Sequence, residues 1–137
     1  MNRIDFQQIA ELRIREAKAL LNAGFADGAY YLAGYAVECA LKACIARRTQ
    51  EHDFPEKSAG KYYSHDLEDL LGFAKLKADL EQAISASPAM KANWAILQNW
   101  SEESRYEIGK PEQQARDLLT AIEDQTGGLL QWLQQRW

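Results

Sequence analysis

The chain is short of the residues on which several kinds of site depend. Of its 137 residues, two are cysteine and two histidine. Cys39 and Cys44 lie five apart, point to different faces of any helix that holds them, and lack the clustered spacing of a zinc site, so they read as buried reduced thiols. His52 and His65 do not form an i, i+4 pair, and a His–His–carboxylate site would need Asp53 or Asp66 to converge with them. Neither a metal nor a cofactor is expected. A serine triad would lack its strained, Gly-flanked turn, and no Gly-rich loop precedes a helix to cradle phosphate. The acidic run HDLEDL has neither the spacing nor the Gly of a calcium loop and reads as a solvated helix face. Positive charge is scarce as well. A net charge of -4 argues against a strong nonspecific grip on nucleic acid, which needs clustered cations, but leaves room for a local basic patch. No basic start leads into an apolar run and a small-residue cleavage site, so a cytoplasmic protein without a signal peptide is expected. β-alternation, hairpin dipeptides, internal repeats and linker composition are all missing. What remains is a single all-α domain over 1–137, long enough to bury about two-thirds of its unfolded surface without disulfides or metal.

What the sequence does have is GAYYLAGYAVECALKACIARR, residues 28–48, in which only Glu38 and Lys42 carry charge before Arg47. A helix so apolar needs protein on most sides, which makes it the central element. Ala29, Ala33, Ala36, Ala40 and Ala43 recur at helical steps and form a line of small side chains along which another helix can approach closely. Leu32, Val37, Leu41, Cys44 and Ile45 supply bulk. Tyr30, Tyr31 and Tyr35 combine apolar rings with hydroxyls that need partners, and so are expected where the helix meets a groove or a second chain. Mid-span Glu38 and Lys42 would each cost about 2.5–3.5 kcal/mol at a bilayer centre, so a membrane helix is not expected. On an exposed face the same pair, acid four residues before base, contributes a few tenths of a kcal/mol.

Asp5 precedes an amphipathic first helix with Phe6, Ala10, Ala17 and Leu21 on one stripe, ended by Asn22 and Gly24. Phe25–Asp27 is a short connection, with Asp27 as the expected cap of the central helix. After Arg48 the polar TQEHDFPEKSAGKYYSHD predicts a long loop, with Tyr62, Tyr63 and His65 available for docking. Ser64 or Asp66 is placed to cap a short helix bearing Leu67, Leu70 and Leu71. Leu80 and Ile84 mark a further piece that Pro88 stops or bends, and NWAILQNW another. SEESRYEIGKP is irregular. Pro111 opens a last helix, in which Gly127 and Gly128 predict a kink or a division into two. Trp94, Trp100, Trp132 and Tyr106 read as packing residues.

Three stretches in this order, the central helix with Tyr31, Ala33, Ala36, Glu38, Leu41, Lys42 and Ala43, then His65-Asp66-Leu67, then Arg105-Tyr106, resemble the HEPN domains, and in particular the subset associated with nucleotidyltransferases. The resemblance covers nearly the whole chain. It implies an up-and-down bundle of four to five helices, commonly dimeric, with ligand contacts at Arg105, Tyr106, Lys42 and His65. Many members are metal-independent ribonucleases in which Arg-x4–6-His supplies phosphate stabilisation and acid–base chemistry. Here YEIGKPEQQAR follows Arg105 with no His in reach, while Arg47 and His52 match the spacing in the wrong place, at the end of the central helix. The resemblance therefore implies a non-catalytic HEPN protein that binds a nucleotide, RNA or a partner nucleotidyltransferase in a toxin–antitoxin or defence setting. The alternatives are a ribonuclease using Arg105 with Tyr106 or a loop His, and a plain helical interaction module. For Arg105 itself two roles stay open: pairing with an acidic neighbour such as Glu102, or meeting phosphate in a dimer cleft.

Overall fold

The computed structural model describes residues 1–52 and 64–137, the last three of the first span by their backbone only. Among the described residues there are seven α-helices and one 3-10 turn, with no strand. In chain order these are α1 (Arg3–Asn22), α2 (Ala26–His52), α3 (Leu67–Phe73), α4 (Lys77–Ala86), α5 (Pro88–Leu97), the 3-10 turn (Glu102–Tyr106), α6 (Glu112–Glu123) and α7 (Leu129–Gln134). No described helix is long and apolar enough to cross a membrane.

α1 begins one turn earlier than Asp5 suggests. Asn2 caps it by accepting from the Asp5 amide at 2.9 Å, and Asp5 reaches back to the Asn2 amide at 2.9 Å, the reciprocal pair of a capping box. Its end is as expected. Gly24 takes φ +90°, and the amides of Gly24 and Phe25 bond back to Leu21 and Leu20, a Schellman turn that only a residue without Cβ enters cheaply. α1 then packs along α2, burying Phe6, Ala10, Ile14, Ala17 and Leu21.

α2 is the central element. Ala29, Ala33, Ala36, Ala40 and Ala43 have no exposed surface at all, and α2 touches α1, α3, the 3-10 turn, α6 and α7. Two expectations about it are corrected. Its helix runs through Thr49 to His52 instead of ending at Arg48, because the polar TQEH carries no Pro or Gly to stop it. The expected loop from residue 53 to residue 63, with Tyr62 and Tyr63, lies outside the described residues. Nor does Asp27 cap the helix, which already begins at Ala26 with the Phe25 carbonyl accepting its first bond. The Asp27 carboxylate instead accepts the backbone N–H groups of Lys110 at 2.8 Å and Gly109 at 2.9 Å. Those two bonds, Lys110 first, hold its pKa below the usual 3.8.

Asp66 is the cap of α3, accepting the Asp69 amide at 3.0 Å, and Ser64 in turn accepts the Asp66 amide. Pro88 opens α5 with Ser87 as its cap. α6 and α7 are separate helices. Gly127 has φ +100°, and a Cβ on Gly128 would lie 2.2 Å from the Asp124 carbonyl oxygen, so the Gly pair permits the break. Asn93 clasps that turn from α5, donating to the Gly127 carbonyl at 2.9 Å and to Asp124 at 3.2 Å. Trp94, Trp100 and Trp132 are buried as expected; Cys39 and Cys44 are buried and unbridged.

Candidate functional site

Asp27, Tyr31, Gly34 and Glu38 follow one another at steps of four, three and four, which sets them on a single face of α2. Residues 98–110, carrying the 3-10 turn, run back along that face. At one end Asp27 holds Gly109 and Lys110. The Lys110 ammonium also sits 4.4 Å above the Tyr30 ring. In the middle, Gly34 receives the Trp100 indole: a Cβ there would lie 2.1 Å from the ring. Tyr31 stacks between Trp100 (6.3 Å) and Tyr35 (5.9 Å). An isolated Gly inside so strongly helical a pattern is a signal of close packing, and it is the one feature of the sequence that points to this contact in advance.

At the other end lies Glu38, with no exposed surface. Its Oε1 accepts from Lys42 Nζ at 2.9 Å and from His65 Nδ1 at 2.8 Å, while Oε2 has no hydrogen-bond partner among the described residues. Glu102 Oε2, from the 3-10 turn, is 3.3 Å from the same Nδ1. The Glu38–Lys42 pair is thus interior, where the sequence reading allowed an exposed one: an acid four residues before a base looks the same on either face. In the tautomer that donates Nδ1–H to Glu38, His65 keeps Nε2 as an acceptor, and 43 % of its side chain is exposed. The capped start of α3 fixes its backbone. A hollow of about 150 Å³ lies beside it, lined by His65, Leu67, Trp94, Gln98, Trp100 and Ser101.

Arg105 projects from the same 3-10 turn into solvent, its guanidinium 4.8 Å from the centroid of the Tyr106 ring. Tyr106, and after it Tyr31 and Glu102, push its pKa up from the ordinary value, so it is a permanent cation. Tyr106 is 70 % exposed and is not the packing residue its aromatic character suggested. Of the four residues expected to meet a ligand, His65, Arg105 and Tyr106 therefore reach the surface on or beside one turn. Lys42 does not: its side chain is 9 % exposed and spent on Glu38. The sequence reading missed Glu38 and Glu102 as partners of His65, since they are 27 and 37 residues away along the chain. Burial raises the Tyr35 hydroxyl to about 12 and the Cys39 thiol to about 11, so neither supplies a nucleophile at neutral pH.

Comparison with curated proteins and with solved structures gives no match. The model of the HEPN domain family matches residues 5–134, which takes in every element of the bundle from α1 to α7 apart from the first two residues of α1. With all but the chain's ends inside that match, the protein belongs to the HEPN domain family.

Proposed function

We propose that the surface formed by Arg105, Tyr106 and His65 binds a phosphate-bearing ligand, a nucleotide or RNA, in a toxin–antitoxin or defence setting, with a nucleotidyltransferase as the partner protein. The observation that carries the reading is Arg105: an exposed, permanently charged fork beside an exposed aromatic ring, on a turn anchored to α2 at both ends. Phosphate takes the guanidinium and a base stacks on Tyr106. Fluorescence anisotropy with a labelled single-stranded RNA, and calorimetry with ATP, test it. Arg105→Ala is expected to weaken binding about tenfold or more, the scale of one lost charge-assisted bond, with an unchanged helical spectrum. Equal affinity in the variant would refute the site.

A second reading, metal-independent RNA cleavage, is favoured by one specific feature. A buried carboxylate orients His65 through Nδ1, which is how an acid–base histidine is held. Cleavage in the presence of chelator, abolished in His65→Gln and in Arg105→Ala, would replace the binding reading by this one.

The protein is also read as a homodimer. Phe25 and Ile108, 63 % and 91 % exposed, lie at the end of α2 where Asp27 grips the strap, Ile108 only two residues after Tyr106. A second copy would cover them. Sedimentation velocity at tens of micromolar is expected to give a dimer, converted towards monomer by Ile108→Asp; a monomeric wild type would count against it.

A further inference from the structure

The end of α2 remote from Arg105 carries a different pattern of charge. Arg47 and Arg48 from α2, Lys75 from the end of α3 and Arg136 from the end of α7 line one cleft of about 220 Å³, with Cys44 and Asp79. In a chain of net charge -4, four cations against one carboxylate among the described residues is a local reversal. Some of it answers the carbonyl ends of α3 and α7, each equivalent to about half a negative charge. Even with Arg47 set aside, those two ends and Asp79 offset only about two of the other three positive charges.

Arg136 is held through its side chain and Lys75 through its backbone. Arg136 donates to the Trp132 carbonyl at 2.9 Å, stacks 4.1 Å above the Trp132 ring, and keeps its Nε 4.0 Å from Asp79. Lys75 occupies the left-handed position of a Schellman turn at φ +61°, with its own amide bonded to Gly72 and that of Leu76 to Leu71. It is the only non-glycine residue with positive φ among the described residues; Gly24 fills the equivalent place after α1. A side chain with a Cβ is disfavoured there, so the structure tolerates strain at the position that brings a fourth cation to the cleft. Cys44 forms a neutral part of the lining. Burial pushes its thiol up to about 12, so it adds no competing negative charge at neutral pH.

We propose that this cleft binds the phosphate end of a phosphorylated ligand. Several cations around one cleft suit the clustered charges of a di- or triphosphate. Two sources share that chemistry, a free nucleotide and the 5′-phosphate of an RNA. The cleft shares no residue with the Arg105 surface. Sixteen residues of α2 separate Tyr31 from Arg47, about 24 Å along the helix, so either site can fail without the other.

The test is calorimetric titration of the full chain with pyrophosphate, then with ATP, and with one RNA decamer carrying either a 5′-phosphate or a 5′-hydroxyl. Pyrophosphate is expected to bind more tightly than sulfate. In a chain that carries Arg105→Ala, so that the other phosphate-binding surface is disabled, Arg48→Ala and Lys75→Gly should each weaken it about tenfold. Lys75→Gly separates function from folding, because relief of the left-handed strain should leave the thermal midpoint unchanged or higher while affinity falls. Preference for ATP, or for the phosphorylated decamer over its hydroxyl twin, identifies the source. Sulfate bound as well as pyrophosphate, or undiminished pyrophosphate affinity in Lys75→Gly and Arg48→Ala, would overturn the proposal.

Discussion

Glu38→Ala is expected to cost about 3–5 kcal/mol in urea unfolding, a large share of the 5–15 kcal/mol by which a small domain is stable. The reason is what the substitution leaves behind. Glu38 has no exposed surface and Lys42 is 9 % exposed at its side chain, so removing the carboxylate strands an ammonium away from water and frees His65 of its shorter partner. The pair itself contributes far less than that. Desolvating two ions roughly cancels their attraction, so replacing both with apolar groups of similar volume, Glu38→Leu with Lys42→Met, is expected to recover most of the loss. The double variant would then hold its fold with His65 loosened, which gives a way to ask whether the orientation of that ring matters to any activity. A single variant within about 1 kcal/mol of wild type, or a double variant as unstable as the single, would show that Lys42 is not left as an uncompensated buried charge.

Gly34→Ala sets two effects against each other, and their sizes decide the outcome. Inside a helix, Ala is preferred over Gly by about 1 kcal/mol. Against this, the new Cβ would lie 2.1 Å from the Trp100 ring, and neither the indole nor the α2 backbone is a flexible side-chain end that yields easily. Trp100 is 4 % exposed; driving such a ring from its seat gives up about 150–250 Å² of burial, about 4–6 kcal/mol at 25 cal/mol per Å². A net loss of about 3–5 kcal/mol is expected by thermal or urea unfolding. Trp100→Ala should be costly on its own, but adding Gly34→Ala to it should cost nothing more, so the cycle shows a coupling above about 2 kcal/mol. Should Gly34→Ala raise the melting temperature, helix propensity has won and the contact carries little.

The helical skeleton is legible in the sequence because local signals agree with the packing. The alanine line of α2 is buried throughout, Gly24 ends α1, Pro88 follows the stop of α4, and the Gly127-Gly128 pair divides the last helix. The candidate site is legible only in part. His65, Arg105 and Tyr106 stand out by type and order, but what holds them in place does not. Asp27 near a helix start carries the signature of a cap, while its partners are more than eighty residues downstream. Glu38 and Lys42 have the spacing of an exposed pair, and only a helix enclosed on several sides makes them interior. Tyr106 is aromatic, yet it sits on a five-residue turn that lies outside the helices of the bundle. In each case the deciding neighbour is distant along the chain, and periodicity carries no information about it.

The grip of α2 on residues 98–110 has a consequence for motion. Asp27, Tyr31, Gly34 and Glu38 meet that strap along a single face, through Gly109 and Lys110, Arg105, Trp100, and the His65–Glu102 pair in turn. Lifting the strap at one station levers against the next, so it should detach as one cooperative unit, not fray from an end. In hydrogen exchange the Gly109 and Lys110 amides, although close to the surface, should then share one opening free energy with the Ser104 amide inside the 3-10 turn.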